Sequence, residues 1–99
     1  MERVRVGILG CGGISGGHAR RLQALEAAEL VALCDVDASI TSAFRAKHMP
    51  DRDVATYTDL AKMYADAGLD GVIIATPHTL HFDHGMQALD ADCHVFMEK

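Results

Sequence analysis

Val4-Arg5-Val6-Gly7-Ile8-Leu9 runs directly into Gly10-Cys11-Gly12-Gly13-Ile14-Ser15, and the change of residue types across that junction decides the fold. The first six residues read as a strand. Glycines then break the pattern. A helical spacing takes over from about Gly13 to Ala27, with Ala19, Leu22 and Leu25 on one side and polar residues on the other. Twenty residues after Ser15, a second apolar run, Leu30 to Cys34, ends on Asp35. Strand, glycine turn, helix, strand and acid, in this order, form the local layout that holds the pyrophosphate and ribose of a dinucleotide.

Each residue type has a physical reason to be there. Gly10 stands where the chain turns sharply off the strand, a conformation costly for a residue with a Cβ. Gly12 lies where a side chain would fill the space that phosphates need. Ser15 replaces the third glycine of the usual spacing and is still small enough for the helix to lie close to its strand. The helix after the turn aims its unpaired N–H groups at the phosphates. Asp35 accepts from the adenosine ribose hydroxyls and repels a 2′-phosphate, and no Arg or Lys stands between Val36 and Phe44 to welcome one. The expected cofactor is therefore NAD rather than NADP. A plainer reading makes this an ordinary strand-to-helix turn with Asp35 as a helix cap, but the full spacing favours the dinucleotide. Gly12 and Gly17 also fit the glycines of a P-loop, yet His18-Ala19 stands where Lys-Ser/Thr is needed, so a Walker-type NTPase is excluded.

A chain of 99 residues makes one domain, 1–99, and its 49% hydrophobic content suffices for a core. The net charge of −5 opposes nucleic acid and anionic membranes as partners. No charged-then-apolar leader opens the sequence and no apolar run nears the ~20 residues of a membrane span, so the expectation is a soluble, cytoplasmic protein. Cys11, Cys34 and Cys93 are odd in number and widely spaced, which fits neither a disulfide framework nor a zinc pattern. The first two could approach one cleft and serve a redox role, but small buried side chains at strand ends are the favoured reading.

The remaining pattern alternates. Ile40, Ala43 and Phe44 mark a second helix, stopped by Pro50, and Val54 to Tyr57 a short strand. Thr58 is placed to cap a helix whose Leu60, Met63, Tyr64 and Ala67 fall at i, i+3, i+4 and i+7 and which Gly68 ends. Asp70 to Thr76 is a buried strand, Phe82, Met86 and Leu89 define a fourth helix, and Cys93 to Met97 a fifth strand. Regular alternation with right-handed crossovers implies an α/β fold: a Rossmann-type, doubly wound parallel sheet of five strands in the order 3-2-1-4-5.

With these elements in place, three segments together resemble the Gfo/Idh/MocA family: Gly10 to Ile14 with His18, Ala75-Thr76-Pro77 with His81, and Glu98-Lys99. The resemblance implies the dinucleotide-binding part of an NAD(P)-dependent oxidoreductase acting mostly on sugars, cyclitols and related polyols. By that match Gly10, Gly12, Gly13 and Ile14 contact the pyrophosphate and Asp35 the ribose. Thr76 and Pro77, with His81 in the same motif, border the cofactor. Glu98 lies near the nicotinamide ribose, and Lys99 near the reacting carbon as the catalytic residue. There are departures. His78 stands where the family commonly has Asn, and the Pro after Glu-Lys and the usual second domain, which supplies the substrate pocket, are missing. The expectation is thus a fragment that is inactive alone, self-associating through an open edge strand and exposed apolar surface.

Two other classes remain open at this point: a fragment of an S-adenosylmethionine-dependent methyltransferase, which also pairs a glycine loop with an acid after strand two, and a non-catalytic dinucleotide-binding or engineered folding module. His78, His81 and His84, three apart, could share a helix face as a metal site, but no carboxylate or Cys has matching spacing except Asp83, which points elsewhere, so loop and helix-start roles are the favoured reading. His18 reads as a packing or surface residue.

Overall fold

Val, Ile and Leu crowd the short apolar runs, and the amphipathic stretches between them bury one face each, so strands end up in the middle and helices outside. The computed structural model describes residues 3–12 and 15–97. The elements in chain order are β1 (Val4–Leu9), α1 (Ser15–Ala24), β2 (Ala28–Cys34), α2 (Ala38–His48), β3 (Ala55–Tyr57), α3 (Leu60–Ala67), β4 (Gly71–Ile74), a single 3₁₀ turn (His78–Leu80), α4 (His81–Asp90) and β5 (His94–Met97). All four strand pairings are parallel and the order is β3-β2-β1-β4-β5, in agreement with the sequence reading.

Two apolar clusters lie on the two faces of this sheet. Ala19 of α1 and Phe44 of α2 join Val6, Ile8 and Ile73 on one face. Met63 and Ala67 of α3 and Ala88 of α4 join Leu9, Val72 and Ile74 on the other. The β1–β2 register slips by one residue at Val6/Gly7, where the partner jumps from Leu30 to Ala32. The slip lets Leu30 and Leu33 share the α1/α2 face, while Ala32 and Cys34 face α3.

Several local expectations need correction. The first helix ends at Ala24, three residues early, which leaves Leu25 exposed. The cap of α3 is Asp59, not Thr58: its carboxylate accepts from the Ala61 N–H at 3.0 Å. A carboxylate is the better acceptor for an unpaired first-turn N–H. Gly68 does end α3, at φ 62°. On α4, Phe82, Met86 and Leu89 turn outward, Phe82 being 76% exposed, and Gly85 and Ala88 meet the sheet instead.

Candidate functional site

The glycine turn is held from three sides. Gly10 has φ 91°, and a Cβ there would lie 2.9 Å from the Ala75 carbonyl carbon and oxygen and 3.0 Å from the Thr76 methyl. Glycine is therefore required twice over, by conformation and by the close approach of the loop after β4. Ser15 is fully buried and its hydroxyl donates to the Gly10 carbonyl, closing a ring across the turn. The replacement of the third glycine thus adds a hydrogen bond as well as fitting the space. Gly12 differs: a Cβ there meets no atom within 4 Å.

Asp35 follows β2 beside this turn. One carboxylate oxygen accepts from the Cys11 N–H at 3.0 Å and the other from the Asp37 N–H at 3.1 Å. Each oxygen keeps a free lone-pair direction for a further donor. The helix-cap reading of Asp35 fails, because Asp37 caps α2 through the Ser39 N–H at 2.9 Å. The Ser39 hydroxyl and N–H hold the Asp37 carboxyl below its ordinary pKa.

These pieces meet in one cleft of about 370 Å³ at the carboxyl ends of β1, β2 and β4, beside the point where the chain order reverses. Gly10, Gly12, Asp35, Thr76 and Pro77 all line it. His81 stands behind the loop: its Nε2 lies 2.7 Å from the Thr76 carbonyl oxygen. His84, one turn further along α4, lines the cleft, and its Nδ1 lies 2.8 Å from the Thr76 hydroxyl. Burial first, and then the neighbouring His81, hold the His84 imidazole below its ordinary pKa, against the pull of Asp83. Sequence reasoning missed His84 as a cleft residue. The signal was its place three residues after His81 on the same helix face. Gly13, Ile14, Glu98 and Lys99 lie outside the described residues.

Cys34 lines the cleft and Cys11 sits in the adjoining glycine turn, neither with reactive character. Burial, then the Asp35 charge, pushes the Cys11 thiol up to about 12 and the Cys34 thiol to about 11. Both stay protonated at neutral pH, which disfavours nucleophilic or redox use. His18 is a packing residue: its ring meets Phe96 edge-on at 5.6 Å, and Arg21 Nη2 lies 2.9 Å from its Nδ1. Among the described residues no three His, Cys, Asp or Glu side chains converge as a metal set.

A family model described as "Oxidoreductase family, NAD-binding Rossmann fold" (GFO_IDH_MocA) matches residues 4–99. The chain belongs to this family. Within the Gfo/Idh/MocA proteins it is 34% identical over 98 residues to glucose-6-phosphate 3-dehydrogenase of Bacillus subtilis (strain 168), covering 96% of this chain and 25% of the relative. Its fold is shared by solved structures of dehydrogenases. The WlbA dehydrogenase from Bordetella pertussis, in complex with NADH and UDP-GlcNAcA, superposes with TM-score 0.88 at 31% identity, over 99% of this chain and 30% of that one. The scyllo-inositol dehydrogenase from Lactobacillus casei, with bound NAD(H) and scyllo-inositol, gives TM-score 0.86 at 26% identity, over 99% and 28%. The chain thus spans little more than a quarter of the length of these Gfo/Idh/MocA relatives. Because the matching family is one of oxidoreductases, the methyltransferase reading falls.

Proposed function

We propose that this chain is the cofactor-holding portion of an oxidoreductase that moves a hydride between NAD and a sugar, cyclitol or related polyol. The observation that carries the reading is Asp35, fixed by two backbone N–H groups at the rim of a cleft that Gly12 leaves open. The fit to a dinucleotide rests on that opening: neither conformation nor packing demands glycine at position 12, and a side chain would occupy the space in front of the turn.

The residues divide the work. Gly10 and Gly12, with Gly13 and Ile14, offer backbone to the pyrophosphate. Asp35 takes the ribose hydroxyls, which favours NAD over NADP. Thr76 and Pro77 border the central part of the cofactor, with His81 supporting their loop from behind. A bound nicotinamide supplies the hydride acceptor. Glu98 is assigned to its ribose. The Lys99 ammonium, beside the hydroxyl being oxidised, orients that hydroxyl and stabilises the negative charge that develops as its proton leaves. The substrate pocket is assigned to sequence outside these 99 residues, so the chain alone turns nothing over. Three free cysteines fit a reducing, cytoplasmic setting, and no described helix is long and apolar enough to cross a membrane. Self-association through the β5 edge belongs to the same reading.

The chain has no tryptophan, so the fluorescence of NADH itself reads binding. Expected is weak NADH binding that Asp35→Ala weakens by about ten-fold, from lost charge-assisted hydrogen bonds. Binding indifferent to Asp35→Ala overturns the reading.

A further inference from the structure

A second hollow of about 380 Å³ lies between α1 and α2, outside the cofactor cleft. Gly12 lines both, so the two adjoin across the glycine turn. Apart from the protonated thiol of Cys11, its ionisable lining is basic: Arg20 from α1, and Lys47 and His48 from the last turn of α2. The Arg20 guanidinium folds back along α1, as helical side chains lean. Its Nη1 lies 3.6 Å from where a Gly16 Cβ would be, and its Nη2 3.8 Å from the same point on Gly17. The His48 ring closes on the same place, with Cε1 and Nε2 each 2.9 Å from that Gly16 position. Guanidinium and imidazole therefore converge on one backbone position that only glycine leaves free.

No countercharge meets them. Neither Arg20 nor Lys47 forms an ion pair with a described residue, and no carboxylate lines the hollow. Burial, then Lys47 and Arg20, hold the His48 imidazole below its ordinary pKa. Cations are the minority here, nine Lys and Arg against fourteen Asp and Glu, so gathering two of them beside a histidine without an acid is an arrangement that a bound anion relaxes.

We propose that the hollow between α1 and α2 binds an anion of the phosphate class, held by Arg20, Lys47 and the His48 imidazole. Guanidinium offers a planar fork of donors to phosphate oxygens, and the ammonium a mobile point charge. Two sources share this chemistry: a free phosphate or phosphomonoester, and the 2′-phosphate of a phosphorylated dinucleotide lying across the glycine turn. The second source rests on the reading that a dinucleotide lies at the glycine turn and runs against the NAD preference that Asp35 gives; the first rests on neither.

The test follows the His48 imidazole by NMR, assigned with His48→Gln, while the 99-residue chain is titrated separately with inorganic phosphate, 2′-AMP, NADPH and NADH in chloride buffer. Expected is a saturable shift of His48 and a rise in its pKa, since a dianion replaces repulsion with attraction. Arg20→Gln combined with Lys47→Gln weakens that response about ten-fold. Circular dichroism stays unchanged, because both side chains are exposed. A response to phosphate assigns the hollow to the free anion; a response to 2′-AMP and NADPH alone assigns it to the 2′-phosphate. NADH reports on the cofactor reading separately, and its failure to bind leaves a phosphate response standing. If phosphate, 2′-AMP and NADPH all act alike on the wild type and the double variant, the proposal is overturned.

Discussion

Two residues apart, Gly10 and Gly12 are glycine for different reasons, and substitution separates them. Alanine at Gly10 is forced to φ 91° and into the Ala75 carbonyl at 2.9 Å. Gly10→Ala is expected to cost about 2–4 kcal/mol, read as a lower urea midpoint. Alanine at Gly12 enters open space. Gly12→Ala is expected to leave stability within about 0.5 kcal/mol yet weaken NADH binding; an unchanged NADH titration contradicts the role given to that opening. Both glycines and Asp35 were legible in the sequence because the turn dictates its own residue types within a few positions. What Asp35 holds across the sheet was not legible: the Cys11 N–H reaches it only once β1 and β2 are paired, while the Asp37 N–H, two residues on, closes a local turn.

At the level of elements, periodicity located the four α-helices and gave the buried side of α3, where Met63 and Ala67 enter the core, but not that of α4. On α4 the large residues Phe82, Met86 and Leu89 gave the signal, yet the helix lies so near β5 that a Cβ at Gly85 would come 3.0 Å from the Met97 methyl. Only Gly85 and Ala88 fit that contact, so the bulky stripe faces outward. The choice between Thr58 and Asp59 as cap was equally beyond pattern, since both precede the apolar spacing. The turn from α4 to β5 stores a correctable strain. Asp92 sits at φ 59°, a region that costs a residue with a Cβ about 1 kcal/mol. Asp92→Gly is therefore expected to raise stability by up to about 1 kcal/mol, part of the gain being lost to the freer unfolded chain. A lower urea midpoint in this variant contradicts the assignment.

Across the whole molecule, covering of the sheet is uneven. Beside α1, the face of β4 and β5 opens as an apolar groove of about 450 Å³ that includes Val4, Leu25 and Phe96, the last 57% exposed. Parallel sheets bury both faces, so self-association is expected to engage this groove. Phe96→Glu should lower the mass seen by light scattering at high concentration; a mass unchanged from wild type rejects the groove as the contact. Stability against pH should show a plateau. His48 and His84 have lowered pKa values when folded, so the unfolded chain takes up protons first and stability falls as pH drops below about 6.5. Asp37, with its lowered pKa, withdraws its share only as pH falls below about 4. Cys11 and Cys34 act in the opposite sense: the unfolded thiols ionise first, so stability declines as pH rises above about 8.5 toward their folded values near 12 and 11. Urea midpoints from pH 4 to 10 check both limbs. Those thiols, together with buried Cys93, also make the chain its own stopwatch. An alkylating reagent meets no accessible thiolate until the sheet comes apart, and all three sulfurs then react together. The pace of labelling under native conditions therefore counts how often a molecule opens, with no probe added to the sequence.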